Sequence, residues 1–372
     1  MLKTWVNVAV LATVTVLTVL ARPAGAATAY PPSCATTVSP YHGGTNTVVY
    51  AQHGITLRKF SKTGLAPLFT ASADVSRALP EPIWHSTVTA RSSTLSLVNA
   101  SRALVGVNGD FFRINGDGSP YGPQVAAGRA VKGLAYGQNA IITTNTGRLT
   151  YGKVWLGLTV SHLGHTVPAT ALNDPQALRD AISVFTSRWG AYQPLTGSGA
   201  WREYVVSHGV VTATHTTATH ARIPAGGYVI EARAAGAVKL QMAGWRNGAH
   251  ISVSAPVRSN TAGGVRYAIG AGQQMIHNGS AVYSSCGYDR PTSRTVVGVA
   301  SSGRKAVLIE TSAGRGLTTR ELMAFLRLDG ITEAYQLDGG GSSTIATRGH
   351  QWSRPQDGAN RVIPNGFGLV PR

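Results

Sequence analysis

Acidic residues are scarce in this sequence. Among 372 residues, 15 Asp and Glu stand against 33 Lys and Arg, and charged residues make up only 13% of the chain. The usual charged share is roughly 25%. The scarcity of charge excludes an acidic disordered tail and a coiled coil, and 44 glycines are too few for a collagen. Because Gly, Thr, Val and Ser outnumber the strong helix formers, an all-helical fold is also disfavoured.

Cysteine is nearly absent as well, with only Cys34 and Cys286. Residues 1–26 have the pattern of a secretory signal peptide: Lys3, an apolar run, and an Ala24-Gly25-Ala26 cleavage site. An uncleaved membrane anchor is the alternative, and no later stretch is apolar for long enough to span a membrane. In an exported protein, an even pair of cysteines predicts one disulfide. Two unrelated thiols remain the alternative.

The excess of basic residues gives a formal net charge of +18. Outside the cytoplasm, such a charge favours anionic envelope polymers as partners, although simple solubility is an equally ordinary explanation. No Lys/Arg run, zinc-finger spacing or RNA-binding aromatic motif is present, so a nucleic-acid partner is not expected. His215 and His220 are spaced five apart, which suits a metal poorly. We therefore expect neither a metal nor a cofactor, and the oligomeric state stays open.

The sequence predicts an α+β fold, with a mixed or mostly antiparallel sheet, flanking helices and a β-rich insertion at about 160–260. Residues 27–100 form an extended and β-rich lead-in, with a strand expected at 93–98. Residues 174–185 show helical spacing. Residues 295–300 and 305–310 predict a hairpin. A capping box at Thr318 to Glu321 predicts a helix that ends near Asp329-Gly330.

Three of the few carboxylates, Asp110, Glu310 and Asp338, each end an apolar strand beside Gly, Ser or Thr. Functional sites are often built where strands end in loops. An Asx turn or a loop hydrogen bond is the ordinary alternative for any one of them. Three such residues in equivalent settings make them the candidate catalytic groups.

The segment LDGGGSST, residues 337–344, is the most distinctive motif. Gly340 and Gly341 would let backbone N–H groups approach a ligand, and successive amides of this kind can bind an anion. Ser342 and Ser343 add hydroxyl groups. The P-loop pattern and the G-x-S-x-G nucleophile elbow are both absent from the sequence.

Five segments occur in the order found in phosphodiester glycosidases: VNGDFF (107–112), SRTVVGV (293–299), GLTTRELMAFL (316–326), LDGGGSST and NRVIPNGFGLV (360–370). The chain resembles this family from about Ala100 to its end. The resemblance implies a phosphodiester glycosidase-like domain over 101–372. One departure is Asp110, which stands where the family commonly has a second glycine after Asn108.

The resemblance implies hydrolysis of a glycosidic bond whose leaving group is a phosphate ester, in an exported or cell-envelope protein acting on polysaccharide. Asp338 is the first choice for the carboxylate at the anomeric carbon, with Glu310 or Asp110 as its partner. Arg294 suits bidentate contact with a phosphodiester. The remaining residues expected to orient the sugar or the phosphate are Asn108, Thr295, Ser342, Ser343, Arg361 and Asn365.

Two other functions remain open at this point. A non-catalytic binding protein for anionic wall polymers explains the charge equally well. A metal-dependent phosphodiesterase could use Asp110 and Asp338 as oxygen ligands. Release of free sugar, retention without release, and loss of activity with a chelator distinguish the three.

Overall fold

The computed structural model describes residues 38–175, 180–194, 196–197, 201–242, 245–282 and 290–372. The predicted signal segment, Cys34 and Cys286 lie outside these residues, so the expected disulfide stays a prediction. In the part that is described, no helix is both long and apolar enough to cross a membrane.

The described residues contain three α-helices, α1 (Thr94–Ala100), α2 (Ala234–Met242) and α3 (Thr319–Leu328). The strands of the first half are β1 (Thr45–Gln52), β2 (Ile55–Ser61), β3 (Leu68–Asp74), β4 (Ala78–Trp84), β5 (Val105–Asn108), β6 (Gln124–Ala126), β7 (Arg129–Leu134), β8 (Gln138–Thr143), β9 (Leu149–Leu156), β10 (Thr159–His162), β11 (His165–Pro168), β12 (Ala171–Leu172), β13 (Ile182–Thr186) and β14 (Thr196–Gly197). Those of the second half are β15 (Trp201–Ser207), β16 (Val210–His215), β17 (Ala218–Thr219), β18 (Tyr228–Arg233), β19 (Ser252–Ser254), β20 (Val257–Ser259), β21 (Tyr267–Gly270), β22 (Gln274–His277), β23 (Ser280–Ala281), β24 (Thr295–Ala300), β25 (Lys305–Thr311), β26 (Ile331–Gln336), β27 (Ile345–Thr347), β28 (His350–Gln351) and β29 (Asn365–Pro371).

Three large sheets organise these strands. An eight-stranded sheet has the order β1-β2-β3-β25-β24-β26-β22-β23, and a five-stranded sheet has the order β28-β27-β5-β29-β4. An eleven-stranded sheet runs β16-β15-β18-β13-β12-β7-β6-β21-β8-β9-β20. Within the described strands, β12 and β13 pair in parallel, whereas the pairs that build the site are antiparallel. The region 160–260 shares the eleven-stranded sheet with strands from 124–156.

The expectation of an α+β fold is wrong, because strands make up 47% of the structure and helices only 9%. Part of the difference lies in the segment 174–185, of which residues 176–179 are outside the described residues. Ile182–Thr186 is a strand buried between β12 and β18, not the end of a helix. A short apolar segment buried on both faces has no period that separates strand from helix.

The reverse error occurs at 93–98, where the sequence predicts a strand and the structure has helix α1. Ser93 is its N-cap, and the Ser93 side chain accepts a hydrogen bond from the amide of Ser96. By contrast, the capping box of Thr318 and Glu321 at the start of α3 is confirmed. The hairpin of β24 and β25 is confirmed as well.

The main core lies where the eight-stranded and five-stranded sheets pack together. Val297 and Leu308 of the first sheet share one buried cluster with Val107 and Phe367 of the second. On the opposite face of the eight-stranded sheet, helix α3 packs through Leu322 and other apolar side chains. Residues that alternate along β24 and β25 therefore point either toward the second sheet or toward α3.

Candidate active site

The ends of two strands from different sheets meet at one place. Strand β5 ends at Asn108, and strand β26 leads into Asp338. The Asn108 side-chain amide donates to the carbonyl oxygen of Asp338 at 2.8 Å, and the Asp338 N–H donates to the carbonyl oxygen of Gly109 at 3.0 Å. These two hydrogen bonds join the motif VNGDFF to the motif LDGGGSST, which are separated by more than two hundred residues.

A buried network beneath this junction holds it in place. The Asn108 Oδ1 atom accepts from the hydroxyl of Thr295 at 2.6 Å and from the amide of Thr344 at 3.2 Å. The Thr295 hydroxyl also lies 3.1 Å from the Ser343 hydroxyl. Asn108, Thr295 and Ser343 have no solvent exposure. In this geometry they position the loop that carries Asp338.

Asp110 is 4% exposed and is held from two sides. Its Oδ2 atom accepts from the Gly122 amide at 2.6 Å, and its own amide donates to Asn365 Oδ1 at 2.8 Å. Burial raises the pKa of Asp110 to about 7, because the charged form loses its water. The Gly122 hydrogen bond and Lys132 oppose that rise, whereas the nearby charge of Asp338 adds to it.

Two glycines make room for the Asp110 carboxylate, and sequence reasoning did not single out either of them. A Cβ on Gly270, at the end of β21, would overlap the Asp110 carboxylate, and one on Gly122 would overlap the Gly270 backbone. The chain therefore approaches the carboxylate more closely than any other residue type permits. No signal in the sequence marks this role, because the contact forms between distant segments.

Asp338 is half-buried and more accessible than Asp110. Its Oδ1 atom accepts from the Gly339 amide at 2.9 Å. Burial raises the pKa of Asp338, while hydrogen bonds from Ser342 and Gly339 and the charge of Arg361 act to lower it. The charge of Asp338 thus acts on Asp110, and the two aspartates lie in different surroundings.

The glycine loop is not an open row of amides. The N–H groups of Gly339 and Gly340 donate to the Asp338 side chain and to the Ser293 carbonyl oxygen, and those of Ser342 and Ser343 donate within the loop. Gly341 has another reason to lack a side chain, since a Cβ there would overlap the carboxylate of Asp357 beside Arg361. These amides serve protein acceptors.

The arginine beside the two motifs is Arg361. Its guanidinium donates to the Ser342 hydroxyl at 3.2 Å and pairs with Asp357. Arg294, the arginine that the sequence favours for the phosphate, donates to the backbone carbonyl oxygens of Leu317 at 3.0 Å and Arg290 at 3.1 Å. Since Thr295 points toward Asn108, its neighbour Arg294 points to the other face of the sheet.

Glu310 lies opposite Thr295 on strand β25 and has no solvent exposure. Neither carboxyl oxygen accepts a well-formed hydrogen bond. Burial raises the pKa of Glu310 well above its usual value, and the nearby Ser353 hydroxyl only partly opposes this. Burial therefore favours the neutral acid form of Glu310, whereas Asp110 and Asp338 line the junction of the motifs.

Sequence reasoning also missed a buried ion pair behind Asp110. Lys132 has no exposure, and its ammonium group pairs with Asp174 and donates to the carbonyl oxygen of Gly122 at 3.1 Å. Arg113 lies 3.8 Å from the same Asp174 carboxylate. A lone buried lysine in an apolar strand carries no sequence motif, so only the folded arrangement reveals it.

The family resemblance was also compared with models of known protein families. Residues 202–370 match the family described as phosphodiester glycosidase. The resemblance is therefore confirmed for this part of the chain, which holds Asp338, Arg361 and Asn365. A comparison with functionally curated proteins gives no match.

Two bacterial proteins of known structure have a similar fold. A hypothetical protein from Synechocystis superposes with a TM-score of 0.72 at 23% identity over 88% of this chain, which spans 64% of the Synechocystis chain. A Burkholderia pseudomallei protein described as exported gives 0.67 at 23% identity, covering 83% of this chain and 75% of its own. The zebrafish N-acetylglucosamine-1-phosphodiester alpha-N-acetylglucosaminidase catalytic domain is more distant, with a TM-score of 0.48 at 11% identity, over 90% of this chain and 91% of that domain.

Proposed function

We propose that this protein hydrolyses the glycosidic bond of a sugar-1-phosphodiester. The observation that carries the proposal is the pairing of Asp110 with Asp338. They follow strands of different sheets, the charge of Asp338 acts on Asp110, and Asp110 is buried whereas Asp338 is half-buried. Glycoside hydrolysis uses two carboxyl groups at one site that differ in their surroundings.

The proposed division of labour follows from exposure. Asp338 is the more accessible carboxylate and acts at the anomeric carbon, either on water or directly. Asp110, with a pKa of about 7, exchanges a proton near neutral pH. The bond between the anomeric carbon and the phosphate oxygen breaks, the oxygen leaves with the electron pair as a phosphomonoester, and water supplies the new hydroxyl and one proton.

The phosphate ester needs a cation rather than a strong acid, because a phosphate is already a good leaving group. Arg361 is placed beside Asp338 and keeps 27% of its side chain exposed. Its planar guanidinium suits the paired oxygens of a phosphodiester. Arg294 is the sequence-based alternative for this contact, and its hydrogen bonds to two backbone carbonyl groups favour a structural role instead.

The test uses purified protein and a panel of sugar-1-phosphodiesters and teichoic-type polymers. We expect free sugar and a phosphomonoester, with label from heavy-oxygen water entering the sugar rather than the phosphate. Asp338→Asn is expected to fold normally and to lose this activity. Asp74→Asn is the matched control, because Asp74 is exposed and pairs with Lys305, at the other end of β25 from Glu310. Full turnover in Asp338→Asn contradicts the mechanism.

The same experiment separates the two other functions. Retention of an anionic polymer without release of sugar indicates a binding protein. Label in the phosphate, with loss of activity on addition of a chelator, indicates a metal-dependent phosphodiesterase. In the described part of the chain, no group of three or more His, Cys, Asp or Glu is placed to hold a metal ion.

We also propose that the protein is exported and acts on cell-envelope or extracellular polysaccharide. The pattern of residues 1–26 and the net charge of +18 support this. Fractionation of cells that express the full chain, with N-terminal sequencing of the product, tests it. Recovery of the intact chain in the cytoplasm contradicts it.

A further inference from the structure

We propose that Arg113, Tyr121 and Tyr136, here called the tyrosine rim, bind a sugar ring of the glycan attached to the phosphate. The proposal rests on the proposed function, because it assigns the rim to the part of the substrate beyond the bond that breaks. It adds a carbohydrate subsite formed by the first half of the chain, outside the segment that matches the family.

The rim is continuous with the candidate active site through one closed loop. Residues 110 to 122 leave the site and return to it: the Tyr121 amide donates to the Phe111 carbonyl oxygen at 2.8 Å, and the Arg113 amide donates to that of Ser119 at 3.0 Å. Gly122, the next residue, donates its N–H to Asp110. Tyr121 is therefore one residue away from the amide that holds the proposed proton-exchanging group.

The three rim residues form one connected group. The Arg113 guanidinium carbon lies 5.7 Å from the centre of the Tyr121 ring, and the same guanidinium lies 3.8 Å from the Asp174 carboxylate. Tyr136 lies in the turn between β7 and β8, where the Gln138 side chain accepts from the Leu134 amide at 3.2 Å and donates to the Tyr121 carbonyl oxygen. Partial burial and then the charge of Asp174 raise the pKa of the Tyr136 hydroxyl.

Buried and neighbouring side chains fix the backbone of the rim. Lys132 pairs with Asp174 and donates to the carbonyl oxygens of Tyr121 and Gly122. The Gln138 side-chain amide donates to the Tyr121 carbonyl oxygen at 3.0 Å. An exposed ring on a fixed backbone loses little conformational freedom when a ligand binds.

The chemistry of the rim matches a sugar ring. Tyr121 is 47% exposed and Tyr136 is 44% exposed, so both rings offer apolar surface with a polar edge. Arg113 keeps 25% of its side chain exposed beside the Tyr121 ring, and a guanidinium is a planar group of hydrogen-bond donors. A pyranose presents C–H groups on its faces and hydroxyl groups around its edge, and it can satisfy both kinds of surface at once.

The experiment measures binding without turnover. The Asp338→Asn protein is titrated with three trisaccharides, cellotriose, maltotriose and chitotriose, by calorimetry. We expect at least one to bind, and we expect Tyr121→Ala and Tyr136→Ala, each added to Asp338→Asn, to weaken its affinity about tenfold. Tyr192→Ala is the matched control, because Tyr192 is 49% exposed and stacks on His220, which is not part of the rim. Equal affinity in all these proteins, or no binding of any trisaccharide, overturns the proposal.

A kinetic comparison keeps this result separate from the proposed reaction. With an active protein, the tyrosine variants should lower kcat/KM for a phosphodiester that carries an oligosaccharide, mainly through KM, and leave a methyl phosphodiester of the same sugar unchanged. If the tyrosine variants lose trisaccharide binding but the unmodified protein cleaves no phosphodiester, the subsite stands and the proposed reaction is refuted. If the tyrosine variants cleave both substrates with unchanged KM, the reaction stands and the subsite is refuted.

Discussion

The ammonium group of Lys132 donates a hydrogen bond to the carbonyl oxygen of Gly122 at 3.1 Å. The amide of Gly122, in turn, donates to the carboxylate of Asp110 at 2.6 Å. One buried cation thereby fixes the residue that contacts Asp110 and also acts on Asp110 through its charge. The position and the ionisation of the proposed proton-exchanging group both depend on it.

The first prediction concerns the pKa of Asp110. Lys132→Met removes a positive charge that lowers this pKa, so we expect it to rise above about 7. Carbon NMR of the Asp110 carboxyl group measures this directly, and the acidic limb of any pH–rate profile should move upward with it. An unchanged pKa contradicts the role given to Lys132.

The same variant should lower stability, because it removes the ammonium group that pairs with the buried Asp174 carboxylate. Removing one partner of a buried ion pair costs roughly 3 to 5 kcal/mol. The double variant Lys132→Met with Asp174→Asn should recover much of that loss, and it serves for the NMR measurement if the single variant does not fold. Denaturant unfolding checks both values.

The second prediction compares two arginines. Arg361→Ala should weaken binding of a sugar phosphodiester by about tenfold or more and leave a phosphate-free glycoside almost unaffected. Arg294→Ala should instead lower the free energy of unfolding, because it removes hydrogen bonds to two backbone carbonyl groups. Steady-state kinetics with both substrates test the phosphate-binding role of Arg361, and denaturant unfolding tests the structural role of Arg294. The opposite pattern would restore Arg294 as the phosphate ligand.

The third prediction tests the close approach of Gly270 to Asp110. A methyl group at Gly270 would overlap the Asp110 carboxylate, so Gly270→Ala should displace that carboxylate and reduce activity at least a hundredfold. Gly349→Ala is a useful control for glycine replacement, because nothing lies near its Cβ position, although its positive φ costs some stability. Activity near wild type in Gly270→Ala argues against Asp110 as a reacting group.

The fourth prediction concerns stability and pH in the eleven-stranded sheet. Glu231 is buried opposite Glu203, and burial followed by the charge of Glu203 raises the pKa of Glu231 to about 9. Above pH 4.5 the unfolded chain releases a proton that the folded protein keeps. Stability from this group therefore falls as the pH rises from about 4.5 to about 9, by up to about 1.4 kcal/mol per pH unit.

Glu231→Gln removes this titration. We expect its stability to depend less on pH over that range and to exceed that of the wild type at pH 8. Thermal or denaturant unfolding at several pH values measures the difference, with Asp74→Asn as a control for an exposed carboxylate. Parallel stability curves for Glu231→Gln and wild type would show that Glu231 has an ordinary pKa.

The fifth prediction separates Glu310 from the reacting carboxyl groups. Burial raises the pKa of Glu310 and so favours its neutral form, and Glu310→Gln would then replace that form by another neutral group of similar shape. We expect activity within about threefold of wild type and an unchanged pH–rate profile. A loss of activity comparable to that of Asp338→Asn would assign Glu310 a direct part in the reaction, as the sequence alone allowed.

Sequence motifs whose residues all lie within a few positions of one another predicted the local structure correctly. The capping box at Thr318 and Glu321 is complete in itself, so helix α3 was predictable. The strand-end positions of Asp110 and Asp338 were equally visible, and the structure brings both to one junction. The predicted helix was wrong at 182–185, and the predicted strand was wrong at 93–98. The secondary structure of both segments depends on neighbours that are distant in the chain.

Local chemistry in the sequence was enough to determine the family resemblance, the order of its motifs and the small set of carboxylates worth considering. Tertiary structure alone decided which groups meet. In the folded protein, Arg294 binds backbone carbonyl groups and Arg361 lies beside Ser342 of the glycine motif. Glu310 is fully buried. Lys132, Gly122 and Gly270 lie around Asp110. The reason is that strand pairing sets which face a side chain takes and which distant strand lies beside it, and neither is encoded within a short segment.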